Sequence, residues 1–67
     1  MIRKSPESFG VRLAHLRAAK GLGLRELARL AGISPTAVVK IEAGSVPGWE
    51  TVRKLALALG VSITEFL

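Results

Sequence analysis

Residues 24–44, LRELARLAGISPTAVVKIEAG, constrain this chain more than any other stretch. Leu24, Leu27, Ala28 and Ala31 recur at helical spacing, and Val38 and Ile41, three apart, carry a second short helix with Ile33 packing from the reversal between them. Gly32 can adopt the left-handed backbone that ends a helix. Ser34 can cap the next helix, and Pro35 suits its first position, where no amide hydrogen bond is lost. Stop, reversal and restart thus fit into about four residues, the spacing of two helices joined by a tight turn. The second helix is left projecting, with Thr36, Val39, Lys40 and Ala43 facing away from the core.

The flanking segments read as further helices. Ser5-Pro6-Glu7 has the order of cap, first helical residue and dipole partner, so a first helix is expected from about Pro6 to Lys20, closed by Gly21. Phe9, Leu13 and Leu16 fall on its inner face, while Gly10 inside it costs about 1 kcal/mol relative to Ala unless packing offsets it. Gly44 ends the third helix and residues 45–48 form a loop. A fourth helix is expected over Trp49–Leu59, with Val52, Leu55, Ala56 and Leu59 inward and Trp49 covering the core. Gly60 stops it, and Ser62-Ile63-Thr64-Glu65 has the capping-box pattern of a fifth short helix that takes in Phe66 and Leu67. No alternating run signals a strand. The expectation is all-α: five short helices in one domain over residues 1–67, with residues 1–5 a short basic arm.

Sixty-seven residues bury only a small core, so packing or dimerisation must help, and 49% hydrophobic residues argue against disorder. No apolar run approaches the roughly 18–20 residues that cross a bilayer, and the first ten residues lack the apolar region of a secretory signal. The absence of cysteine excludes a disulfide framework and fits a reducing cytoplasm. A net charge of +5 favours polyanions, nucleic acid or an anionic membrane surface. The basic residues are not gathered on one helix face, which argues against the membrane.

Catalysis finds no support. His15 is the single histidine and lies off the Leu13/Leu16 face, as a solvated side chain would. Glu7, Glu26, Glu42, Glu50 and Glu65 are spread one per helix, without metal-ligand spacing, and no glycine-rich phosphate loop is present. No enzyme, cofactor or metal is expected.

Several linked fragments then carry a resemblance. Leu13-x-x-Leu16-Arg17 precedes Lys20-Gly21-Leu22, and Glu26-Leu27-Ala28 precedes Ala31-Gly32-Ile33-Ser34. Val38-x-x-Ile41-Glu42-x-Gly44, Pro47 and Leu55-Ala56-x-Ala58-Leu59-Gly60-Val61-Ser62 follow. In this order, over about Phe9 to Leu67, the chain resembles the Cro/C1-type (xenobiotic-response-element) family of lambda-repressor-like helix-turn-helix domains. The resemblance implies five helices, the second across the backbone of double-stranded DNA and the third in its major groove. It also implies a structural ion pair between Arg17 and Glu42. The residues support that pair independently, because each follows a core residue directly and a charge at the core border is costly unless paired.

The chain departs from the family where DNA is read. Gly23 and Leu24 stand where relatives carry a Ser or Thr cap and a Gln, so the side-chain phosphate clamp is missing. Backbone amides and Arg25 remain to hold a phosphate. The third helix begins Ser34, Pro35, Thr36, Ala37, with no bidentate Asn, Gln or Arg on the reading face. Thr36 can bond a base or touch a thymine methyl, Ala37 and Val39 can make methyl contacts, and Lys40 can reach guanine or phosphate. Ser45 is a backbone-contact candidate, and the remaining cations, Arg29 among them, are expected to solvate outer faces.

The resulting expectation is a small cytoplasmic transcriptional repressor acting as a homodimer, with Leu57, Phe66 and Leu67 in the dimer contact. The alternative for Phe66 is docking in its own core. The alternative function is an antitoxin or adaptor module of the same fold, whose apolar residues 35–39 meet a protein.

Overall fold

The first helix, α1 (Phe9–Ala19), begins where Ser8 takes an extended conformation and its hydroxyl accepts a hydrogen bond from the Val11 amide at 3.2 Å. The structure is a computed structural model that describes residues 8–66. Ser8 supplies a capping oxygen immediately before Phe9, where the described helix starts. Ser5, Pro6, Glu7, the basic arm and Leu67 lie outside the described residues.

Helix α2 (Leu24–Ala31) ends on Gly32, whose φ of 73° lies in the left-handed region. The Ile33 amide returns to the Ala28 carbonyl at 3.0 Å and the Gly32 amide to that of Arg29 at 3.2 Å, satisfying carbonyls that the helix end leaves open. Ser34 then starts α3 (Pro35–Glu42): its hydroxyl accepts from the Ala37 amide at 3.0 Å, with Pro35 in the first turn. Helix α4 (Trp49–Leu59) ends on Gly60 with the same pattern of returning amides as α2.

The expected fifth α-helix is corrected to a single 3-10 turn over Ile63–Phe66. The Ser62 hydroxyl meets the Thr64 amide at 3.2 Å and the Thr64 hydroxyl at 2.9 Å. The Glu65 amide is bonded instead to the Ser62 carbonyl at 2.9 Å, so the capping-box geometry does not form. Four residues are too few for the i to i−4 bonding that rewards α-helix nucleation. Among the described residues there are four α-helices, and none is long and apolar enough to cross a membrane.

One core serves all the helices. Leu13, Leu27, Val38 and Leu55 are fully buried at its centre, and Ala28, Ala31, Ile41, Ala56 and Leu59 close it. Helix α2 packs against α3 and α4, while α1 packs against α3. Phe66 is buried and stacks on Phe9, ring centroids 4.5 Å apart. That contact places the Phe66 ring in this chain's own core, the alternative weighed for it against a dimer contact. The expectation for Trp49 is corrected, since it is 64% exposed. Trp49 stands at the first position of α4, where helical side chains lean toward the N-terminus and no preceding turn covers them.

Gly10 accounts for its own presence. A Cβ there would collide with the Ile41 carbonyl oxygen and stand 3.0 Å from the Glu42 Cα. Helix α1 therefore meets the C-terminal end of α3 backbone to backbone, and the obstructing atoms are main chain that cannot rotate aside. Gly10→Ala is expected to lower stability by about 1–3 kcal/mol in chemical denaturation, even though Ala is the better helix former. A neutral or stabilising substitution would show that the close approach is not needed.

Candidate nucleic-acid interface

Burying Val38 and Ile41 fixes which side of α3 faces out. Pro35, Thr36, Val39 and Lys40 are exposed, as is Ala43 just beyond the helix, while Ala37 is half-buried at the flank. Thr36, Val39, Lys40 and Ala43, the residues expected to face away from the core, thus come to one side of the helix. Ser34 stands at its start with its oxygen already committed to the Ala37 amide, which leaves its hydroxyl proton for a further acceptor. Ser45 is exposed past the other end, where its amide donates to the Lys40 carbonyl at 2.9 Å. Leu57 stands apart from this group, 79% exposed on α4.

The first turn of α2 adds a second feature. Gly23 caps it with extended backbone and no side-chain hydrogen bond, so the leading amides lack the acceptor that a Ser or Thr would supply. Arg25 is exposed in that turn and shares a cleft with Pro35 of α3. The cleft holds a residue that the sequence reading had left to solvent: Arg29, one turn beyond Arg25. The i, i+4 spacing of the two arginines was the available signal.

A partly buried ion pair sets the position of α3. Arg17 Nε donates to Glu42 Oε2 at 2.8 Å and Nη2 to Oε1 at 3.2 Å, a two-pronged fit of guanidinium to carboxylate. The third prong, Nη1, donates to the Leu22 carbonyl at 2.8 Å, a partner that the sequence reading had missed. One side chain thereby joins α1, the α1–α2 connection and the last residue of α3. The hydrogen bond to Glu42 raises the Arg17 pKa above its ordinary value, burial opposes that shift, and the Glu42 charge adds to it. A raised pKa for a cation means stability that is fully present below the unfolded-state value and lost only above it. The Arg17 charge is therefore constant throughout the working pH range.

The described residues match a family model for a helix-turn-helix domain over residues 8–66. The chain belongs to the helix-turn-helix family. Its linked motifs are those of the Cro/C1-type branch. The HTH-type transcriptional regulator PuuR of Escherichia coli (strain K12) is 38% identical over 58 residues, covering 85% of this chain and 31% of PuuR. The chain thus spans about a third of the length of that relative. Among solved structures, the restriction-modification controller protein C.AhdI of Aeromonas hydrophila superposes with a TM-score of 0.86 at 38% identity. That match covers 88% of this chain and 91% of the other. HEPD of Streptomyces albus, solved with 2-hydroxyethylphosphonate and Fe(II) bound, matches with a TM-score of 0.87 at 30% identity, covering 98% of this chain and 15% of HEPD.

The ion pair can be weighed by a double-mutant cycle of Arg17→Ala, Glu42→Ala and the double variant. A coupling of about 1–2 kcal/mol is expected from a charge-assisted, partly exposed pair. Additive effects, within about 0.5 kcal/mol, would show that the pair does not hold α3 in place.

Proposed function

We propose that this helix-turn-helix domain belongs to a cytoplasmic transcriptional regulator, a repressor, that places α3 in the major groove of double-stranded DNA. The observation that carries the reading is the outward side of α3, where Thr36, Val39 and Lys40 stand exposed on a helix anchored from behind. Thr36 reads a base edge or a thymine methyl, Ala37 and Val39 make methyl contacts, and Lys40 bonds guanine or a phosphate. The uncapped first turn of α2, with Arg25, receives a phosphate from the same backbone. Ser34, Pro35 and Ser45 border the contact. PuuR, described as a transcriptional regulator, and C.AhdI, described as a controller protein, support the regulatory role.

The active form in this reading is a homodimer whose two α3 helices enter successive major grooves about 34 Å apart. Exposed Leu57 supports it as the apolar contact that remains once Phe66 is assigned to the core.

A second reading draws on HEPD, in which this fold makes up 15% of a chain solved with a substrate and Fe(II). The same domain would then serve as an adaptor or antitoxin-like module, and the apolar segment from Pro35 to Val39 would meet a protein.

Selection of bound duplexes from a random pool at moderate salt separates the two. The regulator reading expects an enriched inverted repeat with half-sites about 10 base pairs apart. An unenriched pool would leave phosphate attraction alone and favour the adaptor. Within the regulator reading, Arg25→Ala is expected to lower the salt slope of duplex binding by about one unit at every sequence. Thr36→Ala is expected to leave the slope unchanged and relax the preference at one base position. The reverse pattern would exchange the two assignments.

A further inference from the structure

We propose that Arg29 acts with Arg25 as a second phosphodiester clamp, gripping the DNA backbone in the cleft between α2 and the start of α3. The inference rests on the DNA-binding reading above and assigns a role to a residue outside it. Arg25, Glu26, Ala28 and Arg29 of α2 line the cleft with Ile33 and Pro35, two cations against one carboxylate. The cleft is open to solvent, with a volume of about 490 Å³, so a strand can approach it from outside.

Charge gives the reason for that occupant. Arg25 and Arg29 lie one helical turn apart on an eight-residue helix, a like-charge pair that destabilises a helix by about 0.2–0.5 kcal/mol. Among the described residues neither guanidinium has an ion pair or a hydrogen bond, whereas Arg17 is engaged at three nitrogens. Glu26, three residues before Arg29, makes no ion pair with it within 4.0 Å. A phosphate between the two cations would relieve their repulsion and receive two planar donor groups, the geometry that suits a phosphodiester.

Position supplies the rest. Pro35 opens α3 and lines the same cleft, so a strand gripped there runs past the N-terminal end of the reading helix. The clamp would therefore set how deeply Thr36 enters the groove, and would compensate for the missing side-chain cap at Gly23.

The test measures duplex binding of the full chain across salt concentrations for the wild type, Arg29→Gln, Arg29→Lys and the control Arg53→Gln on the exposed side of α4. Arg29→Gln is expected to lower the slope of log affinity against log salt by about 0.9, equally for preferred and non-preferred duplexes. Arg29→Lys is expected to restore most of the slope because it keeps the charge, and Arg53→Gln to leave it unchanged. Thermal melting of each variant checks that the fold is intact, and a slope is a readout that a purely structural role would not move. A wild-type slope in Arg29→Gln, with the wild type itself binding duplex, overturns the clamp alone. No salt-sensitive binding by the wild type overturns the DNA-binding reading and the clamp with it. If inorganic phosphate shifts the Arg29 side-chain NMR signal while the duplex slope stays fixed, the cleft takes a free anion and the clamp is likewise overturned.

Discussion

Everything that projects from this domain depends on how the end of α3 is tied down. The Arg17 guanidinium holds the Glu42 carboxylate with two nitrogens and the Leu22 carbonyl with the third. Beside it, Gly10 lets the backbone of α1 reach the Ile41 carbonyl. The two contacts are complementary. The glycine sets a distance that no other residue would tolerate, and the ion pair adds direction, because a planar fork satisfies a carboxylate only in a narrow range of orientations.

Helix α3 needs that restraint. It is eight residues long, well below the length at which an isolated helix is stable in water, and it buries only Val38 and Ile41. A helix so lightly anchored would fray or pivot if its core contacts acted alone. The Ser34 cap fixes its first turn, and Arg17 and Gly10 fix its last. The last turn is thus held from the side that faces away from the projecting residues, and the first turn by its own exposed cap. Exposure of Thr36, Val39 and Lys40 is compatible with a defined position only under such an arrangement.

Legibility in the sequence followed the range of the interaction. The turn at Gly32-Ile33-Ser34-Pro35 could be read because each residue there acts on its immediate neighbours: a left-handed glycine, a hydroxyl three residues from its amide, a proline without a donor. The inner face of α4 was legible for the same reason, through its period. The Ser8 cap was equally local, a hydroxyl three residues from the Val11 amide, but the Ser-Pro-Glu order just before it pointed to an earlier start. What periodicity cannot carry is distance between elements. Gly10 appeared only as a local cost, Phe66 could not be assigned to Phe9 across the chain, and Trp49 shared the inner direction of α4 yet stays largely exposed. The placement of α3 was readable, therefore, while the set of groups gathered around it was less so. Arg29 shows the difference, since its spacing from Arg25 is local but the cleft they share with Pro35 is not.

A consequence follows for how such a helix could discriminate sequences. The outward side of α3 offers one long donor, Lys40, together with a hydroxyl and methyl groups. Lysine is a point charge without the paired donors that fit guanine or adenine in one orientation only. Methyl contacts distinguish thymine, and each is a small term. Selectivity built from small terms requires that they be formed together, which places the burden on geometry: a helix that could shift by an ångström would lose several at once. Phosphate contacts carry no sequence information themselves, but they fix register, and register determines whether weak base contacts coincide. In the proposed reading, the rigid attachment of α3 and a basic grip on the flanking backbone act as one device. The first sets the helix in the protein, and the second sets the protein on the strand.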